Sequence, residues 1–193
     1  MQMLRLFFAH KITEELKESI STFQQEMTVL LPPKTVKLLA PSNLHITLHF
    51  LGDTDQEKLA VLKTIMYKTA ADFGSFSLSV CGFGAFPGIK RPSVLYLGLK
   101  AGSSSVAAVH EKMGTLLREA GFPTDTRSFT PHLTVGRVKK CPDDRTAAVF
   151  RRLRNKYSSH VFGECTVKEI VLYKSNLTPS GAVYEEIEKN LFV

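Results

Sequence analysis

An α+β fold with largely antiparallel sheets is predicted by three observations. Strand-like and helix-like periods mix along the 193 residues without the strict strand–helix–strand alternation that builds a parallel sheet. The period-two segments are mostly short and bounded by Pro, Gly, Ser or Asp. Two of them, Asn43–Leu51 and Pro131–Arg137, repeat a His-x-Thr pattern, so the halves look like diverged copies, each offering the same groups to one cleft.

Leu4–Ala9 reads as a buried strand. Thr13 caps a helix whose first turn holds Glu14 and Glu15, where acidic groups complement the macrodipole. Leu16, Ile20, Phe23 and Met27 recur at helical spacing and carry it to about Met27, and Pro32-Pro33 ends any continuation. Val36–Ala40 is a short strand and Pro41-Ser42 a turn. In the next strand Leu44, Ile46, Leu48 and Phe50 alternate with His45, Thr47 and His49, which predicts an apolar face and a His/Thr face.

Gly52–Asp55 reads as loop and cap, followed by a helix over Gln56–Asp72 with Leu59, Leu62, Ile65, Met66 and Thr69 inward. Phe76–Phe86 is a strand in which Gly82 and Gly84 mark a bulge or a close backbone approach. After the Pro87-Gly88 turn comes the strand Val94–Leu99. Ser103–Ser105 caps a helix running to about Gly121, and Asp125–Thr130 leads into the His132 strand. Asp143–Tyr157 is a basic helix, Val161–Tyr173 one long strand, and Ala182–Leu191 the last strand after the turn Thr178–Gly181. The expected organisation is a single bilobal domain over 1–193 with each His-x-Thr on a different lobe.

Composition narrows the function. A hydrophobic content of 44% supports a large core, and 25 basic against 18 acidic residues leave a net charge of +7, which favours a polyanion such as nucleic acid. Cys81, Cys141 and Cys165 form no C-x-x-C pair, which suits reduced thiols in a cytoplasmic protein and offers no zinc framework. The apolar run in Met1–Ala9 is soon broken by His10-Lys11, so neither a signal peptide nor a membrane span is expected.

Several chemistries lose support. On a straight strand His45 and His49 share a face but sit about 13 Å apart, too far to share an ion, so no metal is expected. Gly82-Phe83-Gly84 lacks a third glycine, Gly88-Ile89-Lys90 misses the P-loop spacing, and no G-x-S-x-G elbow occurs. Two imidazoles in one cleft suit general acid–base work instead, because a side chain that titrates near pH 6.5 serves in either protonation state. With Thr47 and Thr134 as hydroxyl donors to an anionic centre, phosphorus chemistry fits: a base for the entering oxygen, an acid for the leaving one, donors for the rest. Arg137 is the nearest cation, although strict alternation puts it on the face opposite His132 unless the strand bulges near Gly136.

Asn43–Gly52 and Phe129–Arg137 together resemble the paired motifs of the two-histidine (2H) phosphoesterases, and most of all the RNA 2′,3′-cyclic phosphodiesterases, also described as 2′-5′ RNA ligases. Arg5–Ala9, Phe86-Pro87 with Val94–Gly98, and Ser175–Leu177 with Gly181 and Tyr184 extend the resemblance over essentially the whole chain. Val135 and Gly136 replace the commoner Leu-Ala. The resemblance implies a bilobal fold with both motifs facing a central cleft. It also implies metal-independent, cofactor-free opening of a terminal 2′,3′-cyclic phosphate to a 2′-phosphomonoester. The partners would be RNA or nucleotides with such ends, acted on by a monomer. On that footing His45 is the acid, His132 the base, and Thr47, Thr134 and Arg137 hold the phosphate. Ligation through a 2′-5′ bond is the same site run in reverse, and a non-catalytic module that grips RNA ends is the rival from another class.

The remaining candidates are assigned to structure. His49 stands at the cleft edge or is idle; His10, His110 and His160 are surface or satisfied residues. Arg151, Arg152 and Arg154 form a solvated helix face, Phe83 and Phe86 are core, and Arg5 is structural.

Overall fold

In the computed structural model, residues 2–125, 127–179 and 181–193 are described. Thr126, within the lead-in Asp125–Thr130, Ser180, within the expected turn Thr178–Gly181, and Met1, at the head of the opening run, lie outside the described residues.

Strand β1 (Met3–Lys11) has both faces covered. Leu4, Leu6 and Phe8 belong to the main core, whereas Phe7, equally buried, lies outside it beneath a separate set of rings. The flanking strands are β3 (His45–Asp55) and β8 (Glu169–Thr178), both antiparallel to β1, and β9 (Gly181–Leu191) closes that side as a hairpin with β8. The other half comprises β4 (Phe76–Phe86), β5 (Val94–Leu99), β6 (His132–Val138) and β7 (Val161–Val167), with the short β2 (Val36–Leu38) on β6. Among the described residues these make one sheet of nine strands, in order β7-β4-β5-β6-β3-β1-β8-β9, all neighbours antiparallel. The α+β class read from the irregular mixing of periods is the class observed.

The halves meet at β3 and β6 through a single paired position, Ile46 opposite Leu133, both fully buried. No further β3–β6 pair forms among the described residues, and the side of the sheet away from the main core is the cleft side that the sequence leads one to expect.

Four helices cover the other side. Helix α1 (Glu14–Leu30) is capped by Thr13, whose hydroxyl accepts from the Leu16 amide, and α4 (Asp144–Lys156) by Asp143, whose carboxylate accepts from the Thr146 amide. These two pack on β7 and β4, while α2 (Leu59–Ala70) and α3 (Ser103–Glu119) pack on each other, on β8 and β9, and on β3. Arg151, Arg152 and Arg154 are exposed on α4, since Thr146, Ala147, Phe150 and Leu153 take its inner stripe. Among the described residues no helix is long and apolar enough to cross a membrane.

The structure corrects four boundaries. The long strand expected over Val161–Tyr173 breaks at Lys168: β7 pairs with β4 at one edge and β8 with β1, so the chain must cross between halves there. Gly52–Asp55 continues β3 rather than forming a loop, held by Arg5–Asp53 and Met3–Asp55 pairing. Helix α1 runs three residues past Met27 to Leu30. Gly102, at φ 75°, rather than a serine, precedes the first turn of α3; a Cβ there would meet Ser77 O at 2.5 Å.

Candidate active site

On an antiparallel ladder the positions flanking the Ile46–Leu133 pair are 45 against 134 and 47 against 132. His45 and Thr47 therefore share the cleft face with His132 and Thr134, each histidine diagonal to the other across the seam. All four are half-buried, whereas Ile46, Leu133 and Val135 between them are sealed in the core. The rings are close enough that charge on His132 disfavours charge on His45.

Bulges decide which neighbours join them. On β6, Tyr96 pairs with Thr134 but Leu95 with Gly136, so Val135 is an extra residue. Val135 and Gly136 then both point into the core and Arg137 emerges on the cleft face with His132, whose charged form it disfavours. The parity difficulty is thereby removed. Gly136 suits the bulge because a Cβ there would lie 2.8 Å from Val36 Cγ1.

The matching bulges on β3 work against the simple alternation. Phe8 pairs with His49 and Ala9 with Thr47, leaving Leu48 extra; Phe7 pairs with Phe50 and Leu6 with Gly52, leaving Leu51 extra. His49 is thus rotated off the cleft face and buried at 5% exposure, so it does not line the cleft. Phe50, expected on the core face, is instead 62% exposed beside Phe7, ring centroids 5.6 Å apart.

Both cleft histidines are oriented in the same way. His45 Nδ1–H donates to Asn43 O (2.7 Å) and His132 Nδ1–H to Thr130 O (2.7 Å), in each case the carbonyl two residues back. That leaves Nε2 as the free lone pair of each neutral ring; at His45 it accepts from the Thr47 hydroxyl at 3.0 Å. Burial, opposed by the Asn43 bond and helped by His132, pushes His45 down to about 4. His132 is also lowered, by burial first, opposed by the Thr130 bond and helped by the Arg137 charge.

Aromatic rings hold the imidazoles. Phe7 (5.0 Å) and Tyr184 (edge-on, 5.3 Å) pack on His45, with Tyr173 stacked on Phe7. Phe86 (5.0 Å) and Tyr96 (5.5 Å) pack on His132, and Gly84 leaves room for the Tyr96 ring, which a Cβ would meet at 2.5 Å. Phe86, assigned to the core by its sequence context, is half-buried against the cleft-face histidine; Phe83 is a core residue.

Cations complete the rim. Lys37 pairs with Arg137 across β2 and β6, and its Nζ lies 3.0 Å from where a Gly181 Cβ would stand, so it reaches toward the β8–β9 turn. Arg5, assigned to structure, is exposed on the same side of β1 as Phe7, and its charge is felt by Tyr184. No ion pair within 4 Å joins Arg5, Lys37 or Arg137 to a carboxylate among the described residues. The sequence carried no signal for Lys37, which reaches the site only through a pairing of residues a hundred positions apart.

His49 and His110 have a role that periodicity did not reveal. His49 Nε2–H donates to His110 O and His110 Nδ1–H to Leu48 O, both 2.8 Å, and the rings stack at 4.0 Å. Phe129 stacks on the far face of His110 at 3.7 Å. This three-ring clasp ties the β3 bulge to the segment whose Thr130 carbonyl orients His132.

His10 and His160 stay structural. His10 is fully buried among Phe76 and Phe192, its Nδ1–H donating to Glu169 O while Nε2 has no partner. His160 is exposed against Tyr157 and Phe162. Among the described residues, no group of three or more His, Cys, Asp or Glu comes together to hold a metal ion.

A family model described as the 2′-5′ RNA ligase superfamily matches residues 9–179. A relative from Archaeoglobus fulgidus named RNA 2′,3′-cyclic phosphodiesterase is 36% identical over 95% of this chain and 98% of its own length. One of the same name from Methanocaldococcus jannaschii is 34% identical over 96% and 99%. Among solved structures, TT0787 of Thermus thermophilus superposes with a TM-score of 0.78 at 26% identity over 98% of both chains. E. coli LigT complexed with 3′-AMP, at 22% identity over 99% of both, shares the fold with a TM-score of 0.78.

Proposed function

This chain belongs to the 2′-5′ RNA ligase superfamily, and from that premise we propose that it is an RNA 2′,3′-cyclic phosphodiesterase. Its relatives carry that name over nearly their full length. The observation that supports the chemistry best is the diagonal pair of imidazoles at the Ile46–Leu133 seam, each locked at Nδ1 so that Nε2 is its working atom.

Water attacks phosphorus and loses a proton to one Nε2. The P–O3′ bond breaks, and the departing O3′ takes a proton from the other Nε2. The product is a 2′-phosphomonoester beside a free 3′-hydroxyl, with the two histidines having exchanged protonation states. The family resemblance assigns His45 as acid and His132 as base, and we keep that assignment. Burial lowers both rings in the free protein, and the negative charge of the bound phosphate favours the protonated form that the acid needs.

Thr47, Thr134 and Arg137 bind the non-bridging oxygens, and the guanidinium supplies the positive charge that a metal ion supplies elsewhere. Catalysis on this reading needs no metal or other cofactor, and the whole chain works as one domain whose halves each contribute one His-x-Thr. Ligation is the same ring opening with an RNA 5′-hydroxyl as nucleophile in place of water, the P–O3′ bond breaking as before; water at its ordinary concentration makes hydrolysis the main outcome.

The test is a product-resolved assay on an RNA ending in a 2′,3′-cyclic phosphate, in EDTA. Conversion to the 2′-phosphate supports the proposal. A 3′-phosphate product, or tight binding without turnover across a panel of cyclic-phosphate ends, would remove it.

A further inference from the structure

The β6 stripe does not end at the cleft. Beyond the bulge, Val138 N–H bonds Ser93 O and Lys139 N–H bonds Thr35 O, so strand geometry continues one residue past Val138. Alternation then puts Lys139 on the side of Arg137, His132 and Thr134. Lys139 and Lys140 reach an open pocket of about 250 Å³ whose lining includes Arg91, Ser93 and Cys141 and holds no carboxylate. None of Lys37, Arg91, Arg137, Lys139 or Lys140 is ion-paired among the described residues.

The opposite wall is electrically different. There Lys11, on the same side of β1 as Phe7, is paired with Glu186 and Glu169. A polyanion leaving the cleft over β8 and β9 meets compensated charge; one leaving over β2 and β6 meets a row of free cations. From His132 to Lys139 is about 20 Å, six strand steps of about 3.3 Å with one residue lost to the bulge. A mononucleotide does not span that distance, and a few linked nucleotides do.

Building on the proposed reaction, we propose that the RNA strand upstream of the cyclic phosphate runs along β6 and β2 and sets one of its phosphates in the pocket of Arg91, Lys139 and Lys140. The enzyme is thereby matched to single-stranded ends rather than to free cyclic nucleotides. Phosphate contacts of this kind position the chain without reading its bases.

The experiment compares the wild type, the double variant Lys139→Ala/Lys140→Ala, and Lys63→Ala/Lys174→Ala, which removes the same charge from the helix-covered face of the sheet. Each is assayed on a cyclic mononucleotide and on a hexanucleotide ending in a 2′,3′-cyclic phosphate. The first double variant should lose about tenfold in kcat/KM on the hexanucleotide and less than twofold on the mononucleotide. Its dependence of log kcat/KM on log salt should flatten by about 0.7, the value for one lost phosphate contact on a single strand. The Lys63/Lys174 variant should match wild type on both. Equal losses on the two substrates, or none on the hexanucleotide, would overturn the path. Anisotropy of a labelled hexanucleotide ending in a 2′-phosphate reads the same path without turnover: about tenfold weaker binding by Lys139→Ala/Lys140→Ala is expected, and unchanged binding refutes it even where the phosphodiesterase reading itself has failed.

Discussion

An anion bound between the two imidazoles should restore His45 to the physiological titration range. In the free protein burial holds it at about 4. A single negative charge about 4 Å from the ring, at the effective dielectric of a partly buried site, is worth about 4 kcal/mol, which is about 3 pKa units. With 2′-AMP bound, His45 should therefore titrate near pH 7. Since the pKa rises on binding, the complex takes up a proton between about pH 4 and 7. Affinity is greatest at the acid end of that window and weakens as pH rises through it. Long-range ¹H–¹⁵N NMR of the histidine rings, assigned with single His→Gln variants, follows each titration and reports the tautomer. The free protein should show Nδ1–H and lone-pair Nε2 at both His45 and His132. A free His45 titrating at 6.5 or above, an Nε2–H tautomer, or a titration that 2′-AMP leaves in place would refute the electrostatic account.

Other perturbations separate the parts of the site. Arg137→Ala should lower kcat/KM by about 10–100-fold, the loss of one charged hydrogen bond of about 1.5–3 kcal/mol, and Arg137→Lys should recover only part of it because the planar fork is missing; equal activity of all three proteins would deny Arg137 a phosphate role. His110→Leu breaks the clasp on Phe129, removing one hydrogen bond and two ring stacks, together about 2–4 kcal/mol. It should lower kcat more than it raises KM and alter the His132 tautomer signal, and a fall in melting temperature with unchanged kcat would make the clasp purely structural. His10, fully buried and lowered to about 4, takes its proton only on unfolding between pH 6.5 and 4. It therefore costs up to about 3 kcal/mol of stability as pH falls through that window, and urea melts of His10→Leu should show a correspondingly smaller loss between pH 7 and pH 4.

Period-two alternation located the two His-x-Thr strands and the side of each that bears His and Thr, because strand side chains obey parity wherever the ladder is regular. It failed where the ladder is irregular. A bulge inserts one residue and reverses parity beyond it: at Leu48 this took His49 out of the cleft, at Leu51 it follows an exposed Phe50, and at Val135 it brought Arg137 in. Only the last carried a local signal, the Val135-Gly136 pair. Helix caps at Thr13 and Asp143 were legible because they are local. The Lys168 break, the Lys37 approach and the His49–His110–Phe129 stack depend on contacts between distant segments, and single-sequence periodicity holds no information about those.

The proposal rests on two imidazoles acting as one unit, and single-variant kinetics measure that most directly. On a cyclic-phosphate-ended RNA in EDTA, His45→Ala and His132→Ala should each lose about 10²–10⁴ in kcat, and the double variant should fall little further, since either loss disables the pair. A substrate with sulfur replacing the departing 3′ oxygen needs no acid, so it should restore His45→Ala and leave His132→Ala inactive. Near wild-type turnover by either single variant, or additive losses in the double, would contradict the two-histidine mechanism.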